Sequence, residues 1–600
     1  MKIPMVSAAI SAVMLMTGIV LGDNVDRLAP SEEHAPAGTD LAKGADAAVA
    51  KGAAIDNKVL ASLVFPEMNG WYRRTRDSGF VNVIETKGAE PAYVEVGPKA
   101  AGDNSILHCD IKLTGVEAAR IRLTATWRVD GVEGGKDAYQ RAVIQARFTK
   151  AGKEFGDWVS LVKNDGTTAW AESSTDANLP ADADGMFVRV AAYGCKSGRI
   201  CVSKLSVEAV TAAAVAAHRL RFRPAQEYGE PVPEARFNKL YRGVSINNWF
   251  SQPYNEKING EKGGFNAKWF DEFVPDSDLK NLAESGVRHI RIALDPEPFM
   301  DMETGAVKKD MLAMLDKTMK RITSAGMAVV LNPHPKMPRL KAMRTTPGLP
   351  EKFIRWSSEI AEYLNTETDP DWVIYEPLNE PAISGYYMGD WIPMQDQLVN
   401  AIRAKAPKHT LILNAAGYQL WSELLNFPAH PDRNTLFSVH YYQPSSFTHQ
   451  GSQWMRSWYF PLRKVPWPFD ESDLPQIIAD LDRTGKNAEY ASHSEQVMRR
   501  QARDGEGLPA KIEDHFDQVA AWGKANNRRI IIGEFGVDRL HVDEDSRARW
   551  LQFIRESCEK RNFGWAHWEY QHQLGFVSGE PGKRVYEEKA SRALGFDKKK

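Results

Sequence analysis

The 600-residue sequence has few cysteines and no excess of charge of either sign. Its four cysteines exclude a fold built on disulfides and any CxxC zinc ribbon. The 76 basic residues nearly balance the 78 acidic ones, for a formal net charge of -2. This balance argues against a nucleic-acid partner, because phosphate binding requires a dense positive surface. With 43% hydrophobic and 26% charged residues, the chain is also not a disordered or fibrous protein.

Long apolar runs are scarce, and the one exception lies at the N-terminus. No charged residue occurs between positions 3 and 21, and Val20 and Gly22 suit the -3 and -1 positions of a signal peptidase site. Residues 1–22 therefore predict a signal peptide cleaved before Asp23, or alternatively an uncleaved N-terminal membrane anchor. Either reading predicts an exported protein, secreted or periplasmic, with no other membrane segment.

The next two hundred residues divide into a linker, a β-rich region and a second linker. Residues 23–58 are rich in alanine, glycine and proline without apolar periodicity, which is typical of a linker. Residues 59–210 contain short alternating apolar runs separated by glycine, aspartate and asparagine turns, as at 106–113, 121–129 and 186–193. This period of two predicts an all-β sandwich. Residues 211–235 form the second linker.

Cysteines and aromatic residues of the predicted sandwich raise two further expectations. Cys195 and Cys201 flank a predicted hairpin turn, so a local disulfide between them is expected, although Cys109 leaves the pairing open. The candidates for stacking on sugars are Trp71, Tyr72, Trp127, Trp158 and Trp170, although aromatic residues of a sandwich more often belong to its core.

Residues 236–600 alternate short apolar strands with amphipathic helices. The predicted strands are 242–246, 287–294, 327–332, 372–378, 410–414, 436–440, 530–534 and 564–568. The predicted helices include 279–285, 311–324, 353–364, 391–405, 512–525 and 546–560. This alternation predicts a (β/α)8 TIM barrel, so the chain is expected to be multidomain. A doubly wound open sheet is the alternative, but no GxGxxG-type turn follows the first strand. The long segment 444–508 is expected to shape the site.

Active sites of such barrels lie at the C-terminal ends of the strands. The side chains that close or follow predicted strands are Arg291, His334, Asn379, Glu380, His440, Tyr442, Glu534 and Trp568. Two carboxylates, Glu380 after strand four and Glu534 at the end of strand seven, would face each other across the mouth, as glycoside hydrolysis requires. A separation of about 5 Å would mean retention of configuration, and about 6.5–9.5 Å inversion. No strand end carries a His-x-His or His-Glu-x-x-His set, so neither a metal nor a cofactor is expected.

Six motifs in this region resemble those of glycoside hydrolase family 5, in the clan of retaining (β/α)8 glycosidases. They are Ile290-Arg291-Ile292, Asn332-Pro333-His334, Leu378-Asn379-Glu380-Pro381, Val439-His440-Tyr441-Tyr442, Ile532-Gly533-Glu534-Phe535-Gly536 and His567-Trp568. Asn332 departs from the family, in which many members carry aspartate at that position. Residues 446–454 are similar to the segment after strand six in bacterial endoglucanases of this family, which implies β-1,4-glucan rather than mannan.

The resemblance implies a role for each candidate residue. Glu534 would be the nucleophile, with neighbouring donors such as Arg291 and Tyr442 lowering its pKa. Glu380 would be the general acid/base and requires a raised pKa. The implied substrate-binding residues are Arg291, His334, Asn379, His440, Tyr442 and Trp568, with Trp249 as a further platform for a sugar ring.

The sequence thus predicts an exported retaining β-glycosidase that acts on a β-linked polysaccharide. An endo-β-1,4-glucanase is expected, with an endo-β-1,4-mannanase or another β-glucanase of the family as the alternative. A non-catalytic polysaccharide-binding protein is the alternative of another class. The predicted sandwich resembles carbohydrate-binding modules in length and pattern, with a spacer or a protein-docking domain as the alternative. The oligomeric state stays open.

Overall fold

The computed structural model describes residues 58–63, 71–73, 79–85, 91–116, 120–135, 140–179, 183–210, 227–336, 346, 348–381, 388–415, 417–425 and 427–596. The predicted signal peptide or anchor at 1–22 lies outside the described residues, as do 23–57 and 211–226 of the predicted linkers. The domain boundaries therefore stay predictions. Among the helices of the described ranges, none has the length and apolarity needed to cross a bilayer.

Residues 58–210 form two antiparallel sheets, as the alternating pattern predicts. The first sheet orders β3 (Phe80–Ile84), β4 (Tyr93–Gly97), β11 (Ser197–Val210), β6 (Arg120–Glu133) and β9 (Ala171–Asn178), and β1 (Lys58–Leu63) also pairs with β11. The second orders β2 (Tyr72–Arg73), β5 (Asn104–Lys112), β10 (Gly185–Tyr193), β7 (Ala142–Lys150) and β8 (Lys153–Asn164). Alternate side chains of both sheets, including Leu107, Leu123, Ile144 and Val188, build one buried core.

The structure contradicts the expected disulfide, because all four cysteines are free and buried. Cys195 belongs to the core cluster between the sheets. Cys201 instead places its sulfur 3.7 Å from an Asp130 carboxylate oxygen, outside that apolar cluster. The two thiols are close in sequence but lie on different faces of the sheet, so no bond can join them without a change of the hairpin.

We therefore expect four reactive thiols per chain once the protein is unfolded without reductant. Burial raises the pKa of the Cys109, Cys195 and Cys201 thiols to about 11, so the native protein should react far more slowly. Mass spectrometry after maleimide labelling, with and without denaturant, measures both states. Two labels instead of four in the denatured sample would reveal a disulfide.

Eight parallel strands form a closed barrel, which confirms the predicted fold class and excludes the open sheet. In order they are β12 (Gly243–Phe250), β13 (His289–Leu294), β14 (Ala328–Pro333), β15 (Val373–Tyr375), β16 (Leu411–Asn414), β17 (Thr435–His440), β18 (Ile530–Glu534) and β19 (Gly564–His567). Two short antiparallel ribbons join Lys257–Ile258 to Glu261–Lys262 and Val577–Ser578 to Val585–Tyr586.

Helices surround the barrel and pack through their apolar faces. The larger ones are Asp276–Glu284, Lys309–Ser324, Leu349–Glu367, Met388–Arg403, Pro509–Ala525 and Glu544–Lys560. Each overlaps a predicted helix and extends it by a few residues at one or both ends. Shorter helices are Glu234–Phe237, Ala267–Glu272, Pro296–Phe299, Trp421–Leu425 and Glu588–Ala593. Within the predicted long segment lie the helices Ser445–Thr448, Leu474–Ala479 and Ala491–Arg503, which make up about a third of it.

The N-terminal end of the barrel is closed by apolar side chains. Phe237 and Leu240, just before β12, pack against barrel residues that include Val330, Ile374 and Ile531, and all five are buried. This layer fills the interior from below, since a (β/α)8 barrel is a packed core and not a pore. The polar side chains therefore collect at the opposite, C-terminal end.

Candidate active site

Arg291, on β13, links three strand ends through its fully buried guanidinium. Its Nε donates to Glu376 Oε2 at 2.7 Å, and Nη1 donates to Glu534 Oε1 at 2.7 Å. Its Nη2 also donates to Asn379 Oδ1 at 2.8 Å. A buried arginine needs carboxylate partners because unpaired burial of its charge is costly. Here that requirement fixes the positions of Glu534 and Asn379 relative to each other.

Glu534 is the last residue of β18 and is almost completely buried. Besides the bond from Arg291 to Oε1, its Oε2 accepts a hydrogen bond from the Tyr442 hydroxyl at 3.0 Å. His440 Nδ1 lies 3.5 Å from the same oxygen. The expected donors are thus in contact with Glu534, and each favours the ionised carboxylate.

Glu380 lies across the mouth from Glu534, five residues beyond β15. His440 Nδ1 and Glu380 Oε1 form a hydrogen bond of 2.8 Å, and the Glu380 side chain keeps 19% of its surface exposed. One carboxylate oxygen of Glu380, one ring nitrogen of His440 and one carboxylate oxygen of Glu534 all lie within 4.8 Å of one another. The two predicted carboxylates are therefore brought together, close enough to act on one glycosidic bond.

The two carboxyl groups differ in their proton affinity. Burial raises the pKa of Glu380 to about 8, with the negative charge of Glu376 adding to the rise and Arg291 opposing it. Burial also raises the pKa of Glu534, although His440 and Arg291 oppose this. The expectation of a lowered pKa at Glu534 is therefore wrong in sign, because desolvation outweighs the donors. Since Arg291 bonds directly to Glu534 and not to Glu380, Glu534 should ionise first.

The neighbouring His334 and His440 rings are neutral at ordinary pH. Burial lowers the pKa of His440 to about 4, and burial also lowers the pKa of His334 well below its usual value. His334 Nε2 lies 3.3 Å from Asn379 Nδ2, and its Nδ1 lies 3.3 Å from Asn332 Oδ1. The asparagine at position 332 thus still orients the His334 ring.

Trp568 follows β19 and forms one wall of the mouth. Its ring stacks on His334 with centroids 5.3 Å apart and an interplanar angle of 21°. Trp568 is partly exposed. Gly536 permits this placement, because a Cβ there would lie 1.9 Å from the Trp568 carbonyl oxygen.

The structure contradicts the expectation that Trp249 is a sugar platform. Its side chain has no exposed surface, and its indole Nε1 donates to the Phe270 carbonyl oxygen at 2.9 Å. β12 continues through Trp249 to Phe250, and the ring packs outward against the helix Ala267–Glu272. The aromatic residues Trp269, Phe270 and Phe273 downstream were the signal of that buried layer.

Glu380, His440 and Glu534 also have the spacing of a metal-ligand set. Both oxygens of Glu534, however, already accept hydrogen bonds from Arg291 and Tyr442. A cation at this position would also face the Arg291 guanidinium. The donor set fits a pair of reacting carboxyl groups better than a cation site.

Glu376 and Gln419 are site residues outside the set of candidates predicted from the sequence, where Glu376 is interpreted as structural. Glu376 holds Arg291, whereas Gln419 accepts a hydrogen bond at Oε1 from the Glu380 backbone N–H at 2.8 Å. Glu380 has a φ of 40°, in the left-handed region, which costs a non-glycine residue on the order of 1–3 kcal/mol. The Gln419 contact stabilises this conformation. Gln419 follows β16 in an irregular stretch, where no periodicity marks it.

We expect Gln419→Leu to lower kcat about tenfold with little change in KM, because the Glu380 backbone loses its acceptor and the acid moves. Initial rates on a soluble substrate over a range of concentrations separate the two constants. Gln395→Leu is the matched control, since Gln395 is equally buried and donates to the Asn414 carbonyl at 2.9 Å. Equal losses of activity in both variants would contradict a specific role for Gln419.

Comparison with known proteins assigns the barrel to a family. Residues 253–573 match the sequence profile of Cellulase (glycosyl hydrolase family 5). Endoglucanase 3 of Fibrobacter succinogenes is 25% identical over 386 residues, which cover 62% of this chain and 54% of that protein. The chain thus spans about half the length of that relative. Endoglucanase C of Acetivibrio thermocellus is 23% identical over 58% of this chain and 95% of its own length.

A solved structure is also similar to part of this chain. The endoglucanase Cel5A of Thermotoga maritima covers 60% of this chain and 98% of its own, at 23% identity and a TM-score of 0.47. The family assignment rests on the sequence profile, which spans more than half of the 600 residues. The chain belongs to the cellulase family, glycosyl hydrolase family 5.

Proposed function

We propose that the protein is a retaining endo-β-1,4-glucanase that hydrolyses its substrate by double displacement. The observation that carries the proposal is the approach of one carboxylate oxygen of Glu380 to one of Glu534 within 4.8 Å. Retaining glycosidases hold their two carboxyl groups about 5–5.5 Å apart, whereas inverting enzymes leave room for a water at about 6.5–9.5 Å.

In the first step Glu534 attacks the anomeric carbon, and Glu380 protonates the leaving oxygen. Glu380 is suited to the acid role because its pKa of about 8 keeps it protonated at neutral pH. Glu534 is suited to the nucleophile role because Arg291 and Tyr442 stabilise its ionised form. Once the glycosyl-enzyme bond forms, the charge of Glu534 disappears, the pKa of Glu380 falls, and Glu380 can activate water.

The remaining side chains of the mouth position the sugar. Asn379 is fixed by Arg291 and His334, where its amide can bond the sugar 2-hydroxyl, a contact that strengthens in the transition state. His334 and His440, both neutral, hold Asn379 and Glu380 in position through their ring nitrogens. The partly exposed Trp568 ring can stack on the apolar face of a pyranose ring.

A β-1,4-glucan is the proposed substrate because the relatives above are named endoglucanases. A panel of carboxymethylcellulose, lichenan, glucomannan, mannan and xyloglucan tests this, with reducing ends and viscosity both measured. Release of reducing ends with a rapid fall in viscosity on the glucans supports the proposal. Preference for mannan would assign the alternative specificity, and binding without hydrolysis would leave a polysaccharide-binding protein.

The stereochemistry has its own test. Proton NMR of the products in the first minutes of hydrolysis distinguishes β-anomers, expected for double displacement, from α-anomers. Initial α-anomers would exclude Glu534 as a nucleophile.

We also propose that the protein is exported, on the strength of the uncharged run at residues 3–21. Mass spectrometry of protein recovered outside the cytoplasm of an expressing bacterium should find Asp23 as the first residue. A chain that keeps residues 1–22 and sediments with membranes would favour the anchor.

A further inference from the structure

Small side chains line the interior of the barrel below the two reacting carboxyl groups. Leu436 of β17 and Ile531 of β18 belong to the buried apolar layer near the N-terminal end. Side chains alternate along a strand, so Ser438 and Gly533, two residues further along, face the same interior. Bulky branched side chains usually fill the interior of a TIM barrel. A serine beside a glycine therefore places a polar group where packing alone would favour an apolar one.

The Ser438 hydroxyl and His440 Nε2 are both buried without a hydrogen-bond partner among the described residues. Ser438 is 1% exposed and His440 is 2% exposed. Buried polar atoms are nearly always bonded, either to other protein groups or to an ordered water. Two such atoms close together indicate a site for a buried water, which needs at least two polar partners.

Gly533 brings these two atoms to one place. A Cβ at Gly533 would lie 2.4 Å from Ser438 Oγ and 3.4 Å from His440 Nε2, so both atoms border the same side of the Gly533 backbone. One water can join two polar atoms that lie up to about 6 Å apart, because each hydrogen bond spans about 3 Å. Ser438 Oγ and His440 Nε2 are within that reach, and a larger residue at position 533 would collide with the hydroxyl.

The surroundings of the other ring nitrogen determine where the His440 hydrogen lies. Nδ1 is 2.8 Å from Glu380 Oε1 and 3.5 Å from Glu534 Oε2. The ring is neutral, because burial lowers the pKa of His440 to about 4, so only one nitrogen carries a hydrogen. The ionised Glu534 attracts an N–H and repels a lone pair, which places the hydrogen on Nδ1. Nε2 must then accept a hydrogen bond from a donor in the barrel interior.

We propose that Ser438 is a positioning residue for the acid, acting through one bound water that donates to His440 Nε2. The Ser438 hydroxyl donates to the water, the water donates to Nε2, and the ring stays in the Nδ1–H tautomer. Nδ1–H then occupies Glu380 Oε1, which leaves the carboxyl proton of Glu380 on Oε2, free to pass to the leaving oxygen. In the opposite tautomer Glu380 would donate that proton to Nδ1. This role rests on the proposed function, in which Glu380 is the acid.

The tautomer can be observed directly in the wild type. Neutron diffraction from deuterated crystals of the full-length chain, at a pH at which Glu380 is protonated, should show deuterium on His440 Nδ1 and none on Nε2. It should also show one water within hydrogen-bond distance of both Ser438 Oγ and His440 Nε2. Deuterium on Nε2, or Nε2 without that water, would overturn the proposal.

Ser438→Ala tests the consequence for catalysis. Hydrolysis of unactivated β-glucan should fall about tenfold, because His440 can then adopt the tautomer that withdraws the proton of the acid. Formation of the glycosyl-enzyme from a dinitrophenyl cellobioside, whose leaving group needs no proton, should stay within about twofold of the wild-type rate. A merely structural defect would slow both substrates alike.

Two further variants complete the comparison. Ser438→Thr keeps the hydroxyl and should hydrolyse β-glucan faster than Ser438→Ala does. Ser357→Ala is the matched control, because Ser357 is completely buried but lies in the outer helix Leu349–Glu367. Its ratio of rates on the two substrates should equal that of the wild type, and thermal unfolding measures the stability of all three variants.

Failure of this proposal and failure of the proposed function give different results. A wild type that hydrolyses no glucan refutes the proposed function, and the neutron map still decides the tautomer. Equal losses on both substrates in Ser438→Ala, or wild-type rates on both, overturn the positioning role and leave Glu380 and Glu534 as the reacting pair.

Discussion

Replacing Glu534 with glutamine is expected to reduce hydrolysis of soluble β-glucan by at least about 10⁴-fold, because the variant has no nucleophile. The fold should survive. The Arg291–Glu376 pair is neutral by itself, so removing the charge of Glu534 leaves no unpaired charge in the interior. Reducing-end release measures the loss, and the thermal unfolding midpoint measures the fold.

A matched control separates loss of the nucleophile from loss of an arginine-bound carboxylate. Glu587 also accepts hydrogen bonds from two arginines, one from Arg539 Nη1 at 3.0 Å and one from Arg547. It contacts neither of the two reacting carboxyl groups. Glu587→Gln should therefore lower stability more than activity. Turnover of Glu534→Gln near the wild-type rate would mean that another group attacks the sugar.

Azide gives a further test of the nucleophile. In Glu534→Gly the cavity admits a small anion, which should attack the anomeric carbon from the side that Glu534 occupies. Added azide is then expected to restore cleavage of an aryl cellobioside and to yield the α-glycosyl azide. A β-glycosyl azide would place the nucleophile on the opposite face and reverse the two roles.

The barrel could be predicted from sequence because its signals are local. Apolar runs such as 530–534 match β18 to the residue. Glu534 ends β18 and Glu380 lies five residues past β15, so the topology alone brings both to one face of the barrel. The contacts that escaped prediction join residues distant in sequence. The Glu376 that holds the predicted Arg291 lies 85 positions from it, and no local pattern reports such a pairing.

Two predictions, for Trp249 and for the pKa of Glu534, were wrong for physical reasons that cannot be read from the residue types alone. Trp249 follows the first predicted strand, but β12 continues through it, so the side chain faces the helix layer and not the mouth. The sign of the Glu534 pKa depends on the balance between burial and its donors. The sequence identifies the donors but not the degree of burial.

The pH dependence of kcat/KM should report both carboxyl groups. Activity is expected to fall as the pH rises through about 8, because Glu380 must be protonated to act as an acid and burial raises its pKa to about 8. On the acid side, activity falls as Glu534 becomes protonated, and its raised pKa moves that limb to higher pH than for an ordinary glutamate. Because the groups interact, each limb gives a value that belongs to the pair.

Glu380→Gln isolates the alkaline limb. For a dinitrophenyl cellobioside, whose leaving group needs no proton, formation of the glycosyl-enzyme should stay fast and lose its dependence on pH near 8. Release of the sugar should be slow because no base activates water, so a burst of dinitrophenol followed by a slow phase is expected. For unactivated β-glucan the loss should be roughly 10²–10⁴-fold, the usual contribution of a general acid. An alkaline limb that persists in Glu380→Gln would belong to another group, and Glu380 would then not be the acid.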